Sequence, residues 1–220
     1  MNLFLQAYSW TNLTFLAQGI LMTLLLALTA IAISFVLGAL LAIFRYSKTP
    51  VLGQFAFAYT EVLRNTPLIL ILFFTFFGLP QLDLPFQVPL FWKLAIGLII
   101  FEISQLAEIV RGGLNSIEDG QLEAAHSQGL SYMQILMHII IPQAFKRMIP
   151  AIVGQFITIV KDTSYTAMFG LLEILNRAQI IWNHQLNFIF PIIILVAVIY
   201  FVINFTLSSF SIRLEKKLSG

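Results

Sequence analysis

Charged and amide side chains occur inside segments of this sequence that are otherwise apolar. Glu102 stands in the middle of one apolar run, and Lys161-Asp162 lies inside another. An uncompensated charge at the centre of a bilayer costs a few kcal/mol or more, so these residues need a partner or a ligand. The candidates for a polar site are Arg64, Asn65, Thr66, Glu102, Lys161, Asp162 and Ser164.

Two kinds of partner could neutralise these groups. Arg64 and Lys161 offer positive charges, whereas Glu102 and Asp162 offer negative ones. Such a set fits a polar solute with one charge of each sign better than a sugar or a bare metal ion. The alternative is structural pairing, because Glu102 could meet Lys161 across two helices, and Glu61 with Arg64 has the i, i+3 spacing of an ion pair. Adjacent residues such as Lys161 and Asp162 point roughly 100° apart on a helix and serve each other poorly.

The sequence argues against catalysis and metal binding. There are no cysteines, which excludes disulfides, Cys-zinc sites and thiol nucleophiles. His126, His138 and His184 do not have the spacing of metal ligands. The chain has no Gly-rich phosphate-binding loop of the Walker type, and we therefore expect it neither to bind nor to hydrolyse ATP. No residue is predicted to be catalytic.

The composition is that of a membrane protein. Hydrophobic residues make up 59% of the 220 residues, charged residues only 10%, and the mean hydropathy is +0.92. Soluble domains carry about a quarter charged residues, and a net charge of +2 gives no reason to expect nucleic acid as a partner. We predict a single all-α transmembrane domain over 1–220. Its five spans cover about 15–44, 52–79, 93–113, 148–170 and 186–210, with a polar loop at 114–147.

Two local features of these spans follow from residue spacing. Pro67 has no N–H and should break the second span, a place where transporters often build solute sites. Glu108 and Arg111 are three residues apart in the third span and can form an ion pair within the helix.

Basic residues are distributed unevenly between the two sides of these spans. One side would hold eight of the 12 Lys and Arg residues and the other only Lys93 and Arg177. Positively charged loops remain in the cytoplasm, so we expect the N-terminus outside and the loop 114–147 with the C-terminus inside. The eight residues are Arg45, Lys48, Arg111, Lys146, Arg147, Arg213, Lys216 and Lys217.

The polar loop has the features of two helices joined by a tight turn. Ala124 and Ala125 expose almost no side chain, which permits close approach of a partner. Gly129 can end the first helix in the left-handed conformation, and Ser131 can cap the second. Pro142 is expected to stop the second helix.

The residues of this loop also resemble a known pattern. Glu123-Ala124-Ala125 is followed by Gly129 and then by Ile139, Ile141 and Pro142, which is similar to the EAA loop of ATP-binding-cassette (ABC) importer permeases, with Ile141 where Leu is usual. Three further segments resemble polar amino acid uptake permeases, the family of the histidine, glutamine, arginine and cystine importers. They are Leu63-Arg64-Asn65-Thr66-Pro67-Leu68, Ala107-Glu108-Ile109-Val110-Arg111-Gly112-Gly113 and Lys161-Asp162-Thr163-Ser164, with Asn65 where Gly is common.

The resemblance implies a five-span permease of the type I ABC importer fold, multi-pass in the cytoplasmic membrane and surrounded by lipid. Its EAA coupling residues would be Glu123, Ala124, Ala125 and Gly129. Its partners would be an ABC ATPase that binds ATP and Mg²⁺, a second identical or homologous permease subunit, an extracytoplasmic solute-binding protein and a polar amino acid. The alternative is a subunit of an ion-coupled secondary transporter, which also needs intramembrane acids but has no use for the protruding loop.

The predicted orientation can be tested with single cysteines, because the natural chain has none. A cysteine at Gln81 should react with an impermeant thiol reagent on intact cells, since 81 lies in an outer loop. A cysteine at Ser127 should react only after the cells are permeabilised. Labelling of 127 on intact cells would contradict the orientation.

Overall fold

The computed structural model describes residues 3–83 and 85–219, and the regular structure of this part is helical. The side chains of Lys216 and Lys217, which contribute to the predicted orientation, lie outside the described residues. The α-helices are α1 (Leu3–Ala7), α2 (Trp10–Tyr46), α3 (Leu52–Arg64), α4 (Leu68–Phe73), α5 (Leu90–Asn115), α6 (Asp119–Ser127), α7 (Tyr132–Ile135), α8 (Ile141–Asp162), α9 (Ile174–His184) and α10 (Ile189–Ser219).

Shorter helical turns connect several of these helices. Two π turns cover Phe74–Gly78 and Leu136–Ile140, and three 3₁₀ turns cover Leu79–Gln81, Thr163–Phe169 and Leu186–Phe188. Four continuous helical segments of the described chain are long and apolar enough to cross a bilayer. They are Trp10–Tyr46, Leu90–Asn115, Tyr132–Phe169 and Leu186–Arg213, and the bent pair Leu52–Arg64 with Leu68–Gln81 is up to a fifth.

The predicted break at Pro67 is present, and α3 and α4 meet at 103°. Two side chains beside the proline satisfy carbonyls that the end of α3 leaves without helical partners. The Asn65 side-chain amide donates to the Glu61 carbonyl at 2.7 Å, and the Thr66 hydroxyl donates to the Val62 carbonyl at 2.8 Å. The segment therefore bends sharply without leaving these two carbonyls unpaired.

Pro142 does not end a helix, and the expectation from the sequence was wrong on this point. It lies in the first turn of α8, and the π turn Leu136–Ile140 joins α8 to α7. The π turn directly before it already interrupts the regular α-helical hydrogen-bond pattern, so the proline lies at the junction between two helical geometries. The helical segment Tyr132–Phe169 consequently runs from the predicted loop 114–147 into the predicted span 148–170.

Helix α5 lies at the centre of the packing, with Leu98 and Leu106 fully buried. Small residues let neighbouring backbones approach it, as is common between membrane helices. A Cβ added at Gly38 of α2 would lie 3.0 Å from the Ile103 carbonyl oxygen of α5. On α5 itself, a Cβ added at Gly97 would clash with side chains of α4 and its π turn. The side chains of α5 that face these neighbouring helices are therefore buried.

The buried apolar residues form three clusters, which lie at different positions along the helices. The central cluster joins α2, α4, α5 and α8. The inner cluster joins the C-terminal end of α5 to α6, α7 and the first half of α8, so it supports the polar segment between the spans. The outer cluster joins α1, α9 and α10.

Candidate functional site

Glu102 is completely buried in the middle of α5 and faces α8. Its Oε2 accepts a hydrogen bond of 2.8 Å from the Gln155 side-chain amide of α8. The Asp162 carboxyl group, at the end of α8, is also a close neighbour. Among the described residues, Glu102 Oε1 has no hydrogen-bond partner. Glu102 therefore joins α5 to α8 and does not line an open surface of this chain.

Lys161 lies apart from Glu102, although it precedes Asp162 in sequence. Its side chain is exposed on α8, and within the described part of the chain it forms no ion pair. The structure thus brings two acids together and leaves the lysine outside. The permanent Glu102–Lys161 pair, one of the alternatives from the sequence, is absent from the described chain.

Lys161 belongs to a stripe of exposed, mostly small or polar residues along α8. Ala151, Gly154 and Lys161 are exposed, Thr158 between them is partly exposed, and Tyr165 in the following 3₁₀ turn extends the stripe. Intervals of three or four residues place them on one helix face. Lipid-facing positions favour apolar side chains, so this composition indicates a surface that faces protein or water.

A charge cluster near the C-terminal end of α5 connects this helix to α2 and α3. Glu108 accepts from Arg45 Nη1 of α2 at 3.0 Å and from Arg111 Nε of α5 at 3.0 Å. Arg64 of α3 lies 3.6 Å from Glu108, and Glu61 lies 3.6 Å from Arg45. The predicted Glu108–Arg111 pair is therefore confirmed, while Glu61 pairs with Arg45 instead of with Arg64.

The residues predicted for one polar site consequently fall into separate places. Arg64 joins the charge cluster, and Asn65 and Thr66 bond to the backbone at the end of α3. Ser164 lies partly buried in the 3₁₀ turn after α8. The sequence did not identify Arg45 and Gln155 as members of these clusters. The residues around Arg45 indicate only the end of a helix, and those around Gln155 indicate only an apolar span. Neither pattern reveals a partner on another helix.

The polar loop 114–147 contains α6 and α7 with a tight turn between them, although α7 does not end at Pro142 but continues into α8. Gly129 ends α6 with φ of +80°, and Ser131 caps α7 in a capping box with Gln134. The four predicted coupling residues do not share one face, since Glu123, Ala124 and Gly129 are exposed but Ala125 is only 4% exposed and packs in the inner cluster. Ala125 therefore supports this surface from behind.

Residues 34–220 match the family model described as the inner membrane component of binding-protein-dependent transport systems. The chain belongs to this family of ABC importer permeases. The permease is thus a membrane-embedded transport component and not an enzyme, and it is not part of an ion-coupled transporter.

Individual relatives agree with this membership over nearly the whole chain. The permease is 45% identical over 214 residues to the probable glutamine ABC transporter permease protein GlnP of Bacillus subtilis (strain 168), covering 96% of this chain and 97% of the relative. It is 34% identical over 209 residues to the arginine transport system permease protein ArtQ of the same strain, covering 95% and 94%.

Solved structures share the fold of the permease. A chain from the crystal structure of an amino acid ABC transporter with histidines superposes with a TM-score of 0.85 at 31% identity, covering 93% of this chain and 94% of that one. A chain of the inward-facing MetNI methionine ABC transporter gives a TM-score of 0.75 at 19% identity, covering 94% and 99%. The predicted all-α fold of an ABC importer permease is confirmed. Within the described residues, no group of three or more His, Asp or Glu side chains could hold a metal ion.

The permease contains a second buried acid, Glu173, which precedes α9. One carboxylate oxygen accepts from the Asn176 backbone N–H at 2.7 Å, and the other accepts from the Tyr200 hydroxyl of α10 at 3.0 Å. The Thr23 hydroxyl of α2 accepts from the Ile174 N–H at 3.3 Å. Burial raises the pKa of the Glu173 carboxyl above its usual value. The hydrogen bonds of Glu173 and Thr23 therefore hold the start of α9 between α2 and α10.

The raised pKa of Glu173 predicts a pH-dependent stability. The free carboxyl in the unfolded chain has a pKa of about 4.3, so the contribution of Glu173 is largest below that pH and is lost as pH rises through the higher folded pKa. Glu173→Gln keeps an oxygen that can accept from the Asn176 N–H but cannot ionise. Its melting temperature should fall less than that of the natural permease between about pH 5 and about pH 8. Equal falls in the two proteins would contradict this assignment.

Proposed function

We propose that this permease carries a polar amino acid through an ATP-driven importer of the cytoplasmic membrane. The observation that carries the proposal is Lys161, which is exposed on the polar face of a membrane-spanning helix, has the Asp162 carboxyl group as an electrostatic neighbour and forms no ion pair in the described chain. A cation in that position needs an anion, and the α-carboxylate of an amino acid supplies one. The names of the relatives, glutamine and arginine permeases, support this class of solute.

The pathway surface proposed here is the face of α8 that contains Gly154, Thr158, Lys161 and Tyr165. Glu102 and Asp162 lie behind it, where the Gln155 amide connects them to α8. In this arrangement Lys161 recognises the solute, and Ser164 lies next to the surface. Glu102 and Asp162 do not contact the solute; they act on it by setting the position of α8. Arg64, Asn65 and Thr66 contribute at the inner end, where the α3–α4 break and the charge cluster set the position of the second span.

A second permease subunit is needed to enclose this surface. The polar face of α8 is open in the single chain, so a copy or homologue facing it would place two such stripes around one pathway. Two-fold pairing of subunits is the common way to form a closed assembly. The partner ATPase supplies energy and binds ATP and Mg²⁺, and an extracytoplasmic solute-binding protein delivers the amino acid.

The ATPase docks on the exposed surface of α6 and the turn that follows it. Glu123, Ala124 and Gly129 are exposed there, and Gly129 has no other atoms near the position that a side chain would take. Ala125 anchors α6 to the inner cluster, so a push on α6 is transmitted to α8 through packed side chains. The distribution of basic residues supports a cytoplasmic location for this surface.

Replacing Lys161 tests the proposed solute site. Lys161→Met should keep the melting temperature of the purified permease–ATPase complex, because the natural side chain is exposed and unpaired in the described chain. ATP-dependent glutamine uptake into proteoliposomes should fall tenfold for each 1.4 kcal/mol of lost interaction. Lys161→Arg, which keeps the charge, should retain more uptake than Lys161→Met.

Two outcomes would count against this site. Undiminished uptake by Lys161→Met would show that the lysine does not contact the solute at the limiting step. Absence of uptake by the natural complex with any amino acid would contradict the proposed class of solute.

The docking surface is tested by comparing two neighbouring alanines. Ala124→Trp places a large side chain on the exposed face, so it should reduce the ATPase that co-purifies while leaving the melting temperature of the free permease unchanged. Ala125→Trp forces the same side chain into the inner cluster and should lower that melting temperature, since overpacking costs about 1–3 kcal/mol. A normal amount of ATPase bound to Ala124→Trp would exclude this face.

A further inference from the structure

An open cavity of about 390 Å³ lies at the turn between α2 and α3, where the first span ends. Arg45, Lys48 and Gln54 supply polar groups to it, and Phe57 supplies an apolar wall. The Arg45 guanidinium is 4.8 Å from the centre of the Phe57 ring, which orients both side chains at the cavity. The cavity thus combines cationic groups with an apolar side.

The charge balance around this cavity is positive. Arg45 belongs to the cluster with Arg64 and Arg111, whose three positive charges face only the two carboxylates of Glu61 and Glu108. Lys48 is exposed and forms no ion pair within the described residues. An anion in the cavity would therefore meet Lys48 and the uncompensated part of the cluster.

Large apolar side chains surround these cations and face outward. Val51 is 74% exposed, and Leu52, Phe55 and Phe57 are also exposed. A molecule that satisfies the whole surface therefore needs an anionic head and an apolar body. A phospholipid at the end of a span has this chemistry, and basic pockets between membrane helices bind acidic headgroups.

The backbone of the turn is strained in a way that holds these residues in position. Lys48 and Val51 have φ of 48° and 65°, which is uncommon outside glycine and a real outlier for a β-branched residue. Gly53 permits the tight approach of α3, because a Cβ there would lie 3.1 Å from the Phe44 carbonyl oxygen. Strain of this kind costs free energy and often occurs where a ligand is bound.

We propose that this cavity binds the headgroup phosphate of an anionic glycerophospholipid. Lys48 and Arg45 contact the phosphate, and the acyl chains lie against Val51 and Phe55. The site is separate from the solute pathway on α8. It adjoins the polar segment, since the Tyr132 hydroxyl at the start of α7 donates to the Ser47 hydroxyl at 3.0 Å. A bound lipid therefore holds the turn against the segment on which the ATPase is proposed to dock.

Lipid binding can be measured on the full-length permease alone, so the result does not depend on transport or on the ATPase. The detergent-purified chain is titrated with phosphatidylglycerol or phosphatidylcholine of the same acyl chains, and bound lipid is counted by native mass spectrometry. We expect phosphatidylglycerol to be retained preferentially. Lys48→Gln should weaken that binding about fivefold, the equivalent of ~1 kcal/mol per basic residue at a lipid surface.

Matched variants separate this site from general attraction to basic residues. Lys146→Gln removes an exposed lysine on the same side of the molecule and should bind phosphatidylglycerol like the natural chain. Lys48→Arg keeps the charge and should also bind normally. The melting temperatures of all three variants show whether each is folded, and Lys48 is chosen in place of Arg45 because it has no structural partner in the described chain.

Three results would overturn the proposal. Equal retention of the two lipids by the natural chain would exclude an anionic site. An equal effect of Lys48→Gln and Lys146→Gln would exclude this cavity. Displacement of phosphatidylglycerol by about 10 mM inorganic phosphate would show that the cavity takes a free anion and that the apolar border contributes nothing.

Discussion

The hydrocarbon core of a bilayer offers no hydrogen-bond donors or acceptors, so the backbone polar groups of the spans must find their partners inside the protein, and buried side-chain charges are costly unless they are paired. The described chain meets this requirement repeatedly at places where a helix is broken or charged. Asn65 and Thr66 bond to carbonyls at the break before α4. The Tyr59 hydroxyl donates to the Ile100 carbonyl of α5 at 2.7 Å. The arginines near the end of α5 gather around Glu108.

Helix α5 has the largest part in meeting this constraint, because its two acids have partners on other helices. Glu102 connects α5 to α8 through Gln155, and Glu108 connects it to α2 and α3 through arginines. Small residues such as Gly38 bring the neighbouring backbones close enough for these bonds. Glu173 does the same for α9. Glu102, Glu108 and Glu173 are thus structural connections between helices.

Three exposed residues have no part in these connections between helices. Lys161 on α8, Lys48 at the α2–α3 turn and Ala124 on α6 are exposed. Each lies on an element held from behind by one of these connections or by an apolar cluster. These are the surfaces on which the solute, lipid and ATPase sites are proposed.

The sequence by itself determined the features that depend on neighbours along the chain. Apolar length indicated the spans, Pro67 predicted the break, and three-residue spacing predicted the Glu108–Arg111 pair, because the geometry of a single helix fixes all three. Several motifs in the same order, the spacing around Glu123 and Gly129 among them, also identified the family. Only the tertiary structure decided that Glu102 meets Gln155, that Arg45 joins the charge cluster and that Ala125 faces inward. These contacts depend on how each helix is rotated and tilted against its neighbours. In a chain with so many apolar residues, hydrophobic periodicity leaves that rotation open.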